Sequence, residues 1–176
     1  MIVSSAGFIS ASEQLTLTNI PRNAGSASAY VFTVPPLKWT TPGATLSAIT
    51  IDFSNEFASG LGSDIFCGIE ATNSLIAEQL TYSSILNLTL NSTSANNYYT
   101  SISCSSISRV SMSMDLSSLS TSLILENIWH RLIISGITNP PSFNSSNTFG
   151  ITYIGASNNI LFSFNSQLIY RITAPP

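Results

Sequence analysis

The chain is written in period two. Alternating apolar and small polar residues run through "QLTLTNI" (14–20), "AYVFTV" (29–34) and "ATLSAITIDFS" (44–54). The habit returns in "DIFCGIE" (64–70), "SILNLTLN" (84–91), "NYYTSISC" (97–104) and "RVSMSMDL" (109–116). It closes with "WHRLIISGI" (129–137), "TFGITYIG" (148–155) and "QLIYRIT" (167–173). Successive side chains on a strand point to opposite faces, so each stretch predicts a strand with one buried face. β-branched and aromatic residues fill these stretches, as a pleated, half-buried surface prefers. Pro, Gly, Asn and Ser cluster between them and supply turns. In "ISGITNPPSF", Pro141 restricts Pro140 to an extended conformation, so the segment reads as strand, turn and return.

One stretch departs from the pattern. In "LSSLSTSLILENIW" (116–129), Leu116, Leu119, Leu123 and Glu126 fall at helical spacing, which allows one short helix near 116–128. The prediction is therefore all-β: an antiparallel Ig-like, Greek-key β-sandwich of seven to ten strands. A length of 176 residues suits a single domain over 1–176. The terminal "APP" (174–176) suits a stiff linker to a further unit.

Composition changes the picture by what it lacks. Only 7% of residues are charged, against a usual value of about 25%. Ser (33 residues) and Thr (17) supply polarity instead, with 15 Asn. The outward positions must then be hydroxyl and amide. Such a surface lacks the charge repulsion that keeps proteins apart, which predicts either shielding by glycans or self-association. A net charge of −3 with five scattered basic residues excludes a phosphate-neutralising stripe, so no nucleic-acid partner is expected. No run of 18 apolar residues exists, so membrane insertion is not expected either. The opening residues lack a basic n-region and a long apolar core, so no signal peptide is read there.

Two cysteines, Cys67 and Cys104, stand 37 positions apart with no CxxC or Cys/His cluster. They are either two buried thiols or one disulfide. A disulfide needs Cα atoms within about 7 Å, and closing that loop would stabilise by about 3–4 kcal/mol. A hydroxyl-rich, secreted chain favours the bond.

Chemistry is sparse. His130 is the lone histidine, set in a strand-like stretch, and no G-x-S-x-G elbow accompanies it. Asp52, Glu56 and Asp64 form the one local acidic cluster, which reads as loop solvation, with a calcium site as the sharper alternative. No catalytic residue, metal site or cofactor is expected. Trp39, Tyr98 and Tyr99 are candidate interface or glycan contacts, with packing as the other role; Tyr98 and Tyr99, being adjacent, cannot both face one core if their segment is extended. Sequons stand at Asn87, Asn91 and Asn144, no more than this composition supplies by chance.

A family pattern accompanies these features. "LTLTNIPRNAGSASAYVFTV" (15–34), "GATLSAITIDFSNEF" (43–57) followed by Cys67, and "LIISGITNPPSFNSSNTFGITYI" (132–154) resemble the Ser/Thr-rich extracellular β-sandwich repeats of large surface proteins of ciliates and other microbial eukaryotes, with bacterial counterparts. The resemblance spans both ends of the chain and leaves 75–125 unmatched. It implies a module of a tandem surface protein, coat, filament or adhesin, outside the cell or on its surface, with no catalytic or ligand residues. Together these features predict a structural subunit that assembles through strand edges and termini. A carbohydrate-binding module is the alternative.

Overall fold

A computed structural model describes residues 8–9, 15–20, 22, 24–57, 61–72, 93–94, 97–117, 125–141, 146–169 and 172. Its described elements are strands, with one 3-10 turn at Asn55–Phe57. The strands are β1 (Phe8–Ile9), β2 (Thr16–Ile20), β3 (Ala27–Val34), β4 (Leu37–Lys38), β5 (Leu46–Asp52) and β6 (Leu61–Thr72). They continue as β7 (Thr93–Ser94), β8 (Asn97–Ser108), β9 (Ser111–Asp115), β10 (Trp129–Thr138), β11 (Ser146–Gly155) and β12 (Ile160–Ile169).

All ladder pairings are antiparallel, and one continuous hydrogen-bonded order, β12-β11-β5-β9-β8-β6-β10-β3-β2, folds into two layers. Strand β8 makes the fold: its first half, through Ile102, pairs with β6, and its second half, from Ser103, pairs with β9. The first layer is therefore β2-β3-β10-β6 with the start of β8. The second is the end of β8 with β9, β5, β11 and β12. The chain crosses between layers after β3, β5, β9 and β10, the Greek-key habit of an Ig-like sandwich. Its two outermost strands, β2 and β12, approach each other within 8 Å between Cα atoms.

The core lies between the layers and follows the alternation. Leu15, Leu17, Tyr30, Phe32, Val34, Ile69, Leu132 and Ile134 come from the first layer. Ile49, Ile51, Met112, Met114, Phe149, Ile151, Tyr153 and Phe162 come from the second. At one end, Tyr30, Phe32, Phe53, Phe57 and Phe149 meet edge to face, with ring centroids 5.4–6.5 Å apart for Tyr30–Phe57, Phe32–Phe149 and Tyr30–Phe53. Each such contact adds about 1 kcal/mol beyond area burial. The 3-10 turn carries Phe57 into this cluster, and it is fully buried.

The turn after β10 is built as its sequence suggests. Gly136 has φ +85° and is the extra residue of a β-bulge, opposite which β3 advances one residue from Ala29 to Ser28. A side chain there would be strained, which is why glycine occupies it. Asn139, buried before Pro140, accepts the Tyr30 hydroxyl at 2.6 Å on Oδ1. Its backbone donates to Ser26 O and accepts from Gly25 N.

Several boundaries differ from the sequence reading. The last strand begins at Ile160, seven residues before the predicted "QLIYRIT". The expected strand 84–91 lies outside the described residues. Of the segment allowed as a helix, 116–117 and 125–128 are extended, bridged or turned, and 118–124 lie outside the described residues. Glu126 sits instead in an isolated bridge with Leu37. Its carboxylate accepts Gly43 N at 2.9 Å and Trp39 N at 3.5 Å.

Candidate functional site

The two cysteines are joined. Cys67 on β6 and Cys104 on β8 form a disulfide with Cα atoms 6.1 Å apart. Cys104 lies just past the point where β8 leaves the first layer, and its register partner is Met114 of the second. The bond thus staples the fold where the sheet changes layers.

His130 belongs to the core. It is 1% exposed. Its Nε2 and the Tyr153 hydroxyl are 2.6 Å apart, and Nδ1 is 3.2 Å from Ile128 O. The carbonyl can only accept, so Nδ1 carries the proton and Nε2 accepts from Tyr153. This bond ties β10 of the first layer to β11 of the second. Burial is the dominant cause that pulls the imidazole down to about 4, against a partial upward effect from the Ile128 carbonyl. Burial likewise pushes the Tyr153 hydroxyl well above its ordinary range. Both groups are neutral at physiological pH and sealed from solvent.

Of the roles open to Trp39, packing, interface or glycan contact, the structure places it in packing: it is 4% exposed and part of the core. Its loop is tied down on two sides, by the Glu126 carboxylate and by the edge of β12, where Thr40 N donates to Leu161 O at 2.9 Å and Thr40 Oγ1 donates to Ile160 O at 2.8 Å. Those bonds hold the segment over the end of the sandwich and turn the indole inward. Tyr98 and Tyr99 are register partners of Ala71 and Glu70; their side chains lie outside the described residues. So do the sequons at Asn87, Asn91 and Asn144. Asp52 is exposed and Glu56 half-buried, while the Asp64 side chain is not described. Among the described residues no three His, Cys, Asp or Glu side chains cluster as a metal site. No described helix is long and apolar enough to cross a membrane, which says nothing of a β-barrel.

The remaining surface is more regular than the sequence suggested. Across the outer face of the second layer, register aligns Ser163, Thr152, Thr50, Ser113 and Ser105 in one row over five strands. Neighbouring strands lie about 4.8 Å apart, so the hydroxyls repeat at that interval. Thr152 Oγ1 and Ser163 Oγ are 3.3 Å apart. The next row runs Asn165, Gly150, Asp52 and Ser111. Ser111 Oγ donates to Asp52 Oδ1 at 2.5 Å. Asp115, on the other side, accepts from Ser117 Oγ at 2.6 Å and Ser117 N at 2.9 Å. The hydroxyl bond, then the backbone one, hold its carboxyl below the usual range. Beside Asp52 the face dips into an open depression of about 370 Å³, lined by Asp52, Phe53, Ser54, Asn55, Thr148, Gly150 and Asn165. Sequence alone showed each Ser and Thr as outward; the register that aligns them is long-range.

No protein-family model matches the chain, and no curated protein matches it. Among solved structures, the chain is similar to a cohesin module from a Clostridium perfringens family 33 glycoside hydrolase, at 8% identity over 96% of this chain and 98% of that one, with a TM-score of 0.44. It is also similar to an immunoglobulin-like protein from Nocardia farcinica, at 11% identity over 88% and 97%, TM-score 0.42. A third is the collagen-binding domain of a Staphylococcus aureus adhesin, at 12% identity over 92% and 99%, TM-score 0.34. At these scores the likenesses carry no argument about activity, and the all-β sandwich assignment rests on the strand pairing itself.

Proposed function

We propose that this chain is a non-catalytic contact module of an extracellular structural or adhesive protein. The observation that supports this reading best is the open face of the second layer: rows of hydroxyl and amide groups, with no Lys or Arg among their described positions. A surface of that kind exchanges hydrogen bonds with water for hydrogen bonds with a partner and loses little to salt screening. The Cys67–Cys104 bond supports an oxidising setting, where such links persist. His130 supports a non-catalytic role, because its two ring nitrogens are engaged in the core.

The finer reading is assembly with neighbouring copies or repeats, through termini and strand edges. The edges of β2 and β12 lie close to one another, and Thr40 already bonds the start of the β12 edge.

The test is localisation on intact cells of the source organism. Antibodies against the folded module should label unpermeabilised cells, and external protease should remove the signal. Labelling only after permeabilisation would overturn the reading.

A further inference from the structure

We infer that the depression beside Asp52 and the hydroxyl row next to it form one binding face for a neutral polysaccharide chain. The inference rests on the reading of the chain as a contact module and names the partner of its open face.

Three independent features support it. The first is the depression, whose volume of about 370 Å³ lies at the small end of ligand sites. Its lining brings together Asp52, Ser54, Asn55, Thr148 and Asn165. These side chains offer a carboxylate, hydroxyls and amides, the mixture of acceptors and donors that matches vicinal sugar hydroxyls. Phe53, buried beneath, adds an apolar patch to the lining.

The second is Gly150. Its φ is not in the left-handed region, so conformation does not require glycine there. What a side chain would change is space: a Cβ at that position would lie 3.3 Å from Asp52 Oδ2 and 3.4 Å from Asp52 Cβ. On a five-strand face where the register neighbours carry side chains, the missing one keeps the floor of the depression open beside the carboxylate.

The third is charge. The two rows contain Asp52 and no Lys or Arg, and Asp115 stands one residue pair further along β9. Anionic glycans, anionic lipids and nucleic acids would be repelled or left unpaired, whereas a neutral chain meets no mismatch. A calcium ion is less suited, because Asp52 is the lone carboxylate in the lining and that ion favours several. The row Ser163–Thr152–Thr50–Ser113–Ser105 lies one pleat repeat, about 6.8 Å, from the Asp52 row. It extends the site across the sheet, so successive sugar units can each find hydroxyl partners.

The experiment is affinity electrophoresis of the disulfide-bonded protein through gels holding a β-glucan, a xylan, a mannan or a galactan, with polygalacturonate as the anionic control. At least one neutral polymer should retard the protein, and polygalacturonate should not. Gly150→Val fills the depression and Asn165→Ala removes an exposed amide; each should weaken retardation about tenfold. Thr18→Val, on the outer face of the first layer, should leave it unchanged. Should Gly150→Val fail to fold, Asn165→Ala still decides. Retardation by no neutral polymer, equal retardation of both variants and the parent, or loss of retardation in EDTA restored by calcium would each overturn the inference. Surface labelling of cells would stand through any of those outcomes, so failure here is separable from failure of the contact-module reading.

Discussion

The two layers of this sandwich share a core but treat their outer faces in opposite ways. In the second layer, alternation is clean: Met112 and Met114 are buried while Ser111 and Ser113 are half-buried and Asp115 is exposed. In the first layer, β10 is buried on both sides from His130 through Ser135. Its outward positions, Arg131 and Ile133, are as sealed as its inward ones. Opposite Arg131 on β6 stands Glu70, with Nη1 and Oε2 3.5 Å apart and both side chains nearly buried. A chain with 13 charged residues thus places an ion pair between β10 and β6, where β10 is sealed, and spreads hydroxyls over the open face of the second layer. The lesson is that low charge does not mean charges are idle. A buried pair is a commitment to one arrangement, while an uncharged open face is free to meet a partner.

That contrast gives a ranked set of expectations. The largest effect should come from breaking the buried pair. Arg131→Met removes the cation beside the nearly buried Glu70 carboxylate and should destabilise by about 3–5 kcal/mol. Asp52→Asn on the open face should change stability by less than about 0.5 kcal/mol. Urea unfolding of both variants measures the difference, and equal effects would remove the distinction between layers. Next in size is the staple. Replacing both Cys67 and Cys104 with serine should lower stability by about 3–4 kcal/mol, visible as a reduced urea midpoint.

The third expectation concerns pH. In the unfolded chain His130 binds its proton near 6.5, and in the folded protein only near 4, because burial disfavours the charged ring. Between those values the unfolded state holds more protons, so stability falls as pH falls, and below about 4 the loss levels off. The full span is about 3 kcal/mol. His130→Gln should abolish this slope between pH 6.5 and 4 in thermal melts. Smallest of all, Thr50→Val and Ser113→Val should each move stability by under about 0.5 kcal/mol while lowering solubility, since they remove hydroxyls from a half-buried row on the open face.

How much of this was legible beforehand follows from the range of the forces involved. Strands such as "LSAITID" and "SMSMD" are readable because a half-buried strand writes its face locally, every second residue. The start of β12 was missed although "LFSFN" alternates and the preceding "GASNN" is a turn, with Asn158 at φ +59°. The apparent helix at Leu116, Leu119, Leu123 and Glu126 was misleading at Glu126, whose carboxylate answers to the backbone of the 39–43 loop some eighty residues away. The role of Trp39 is undecided in the sequence for the same reason: nothing near it shows the two anchors that fold its loop inward. The candidate site was least legible. Each Ser and Thr of the five-strand row is unremarkable alone, and only strand order and register bring them into line.

The central claim, that β10 is sealed on both sides within the first layer while the second layer presents an open hydroxyl face, is tested most directly by thiol accessibility. Single variants Ile133→Cys and Asn165→Cys, with the Cys67–Cys104 bond intact, are exposed to a thiol reagent under native conditions. The account predicts prompt labelling at 165 and labelling at 133 only when the protein is unfolded. Comparable native labelling at both positions would contradict it.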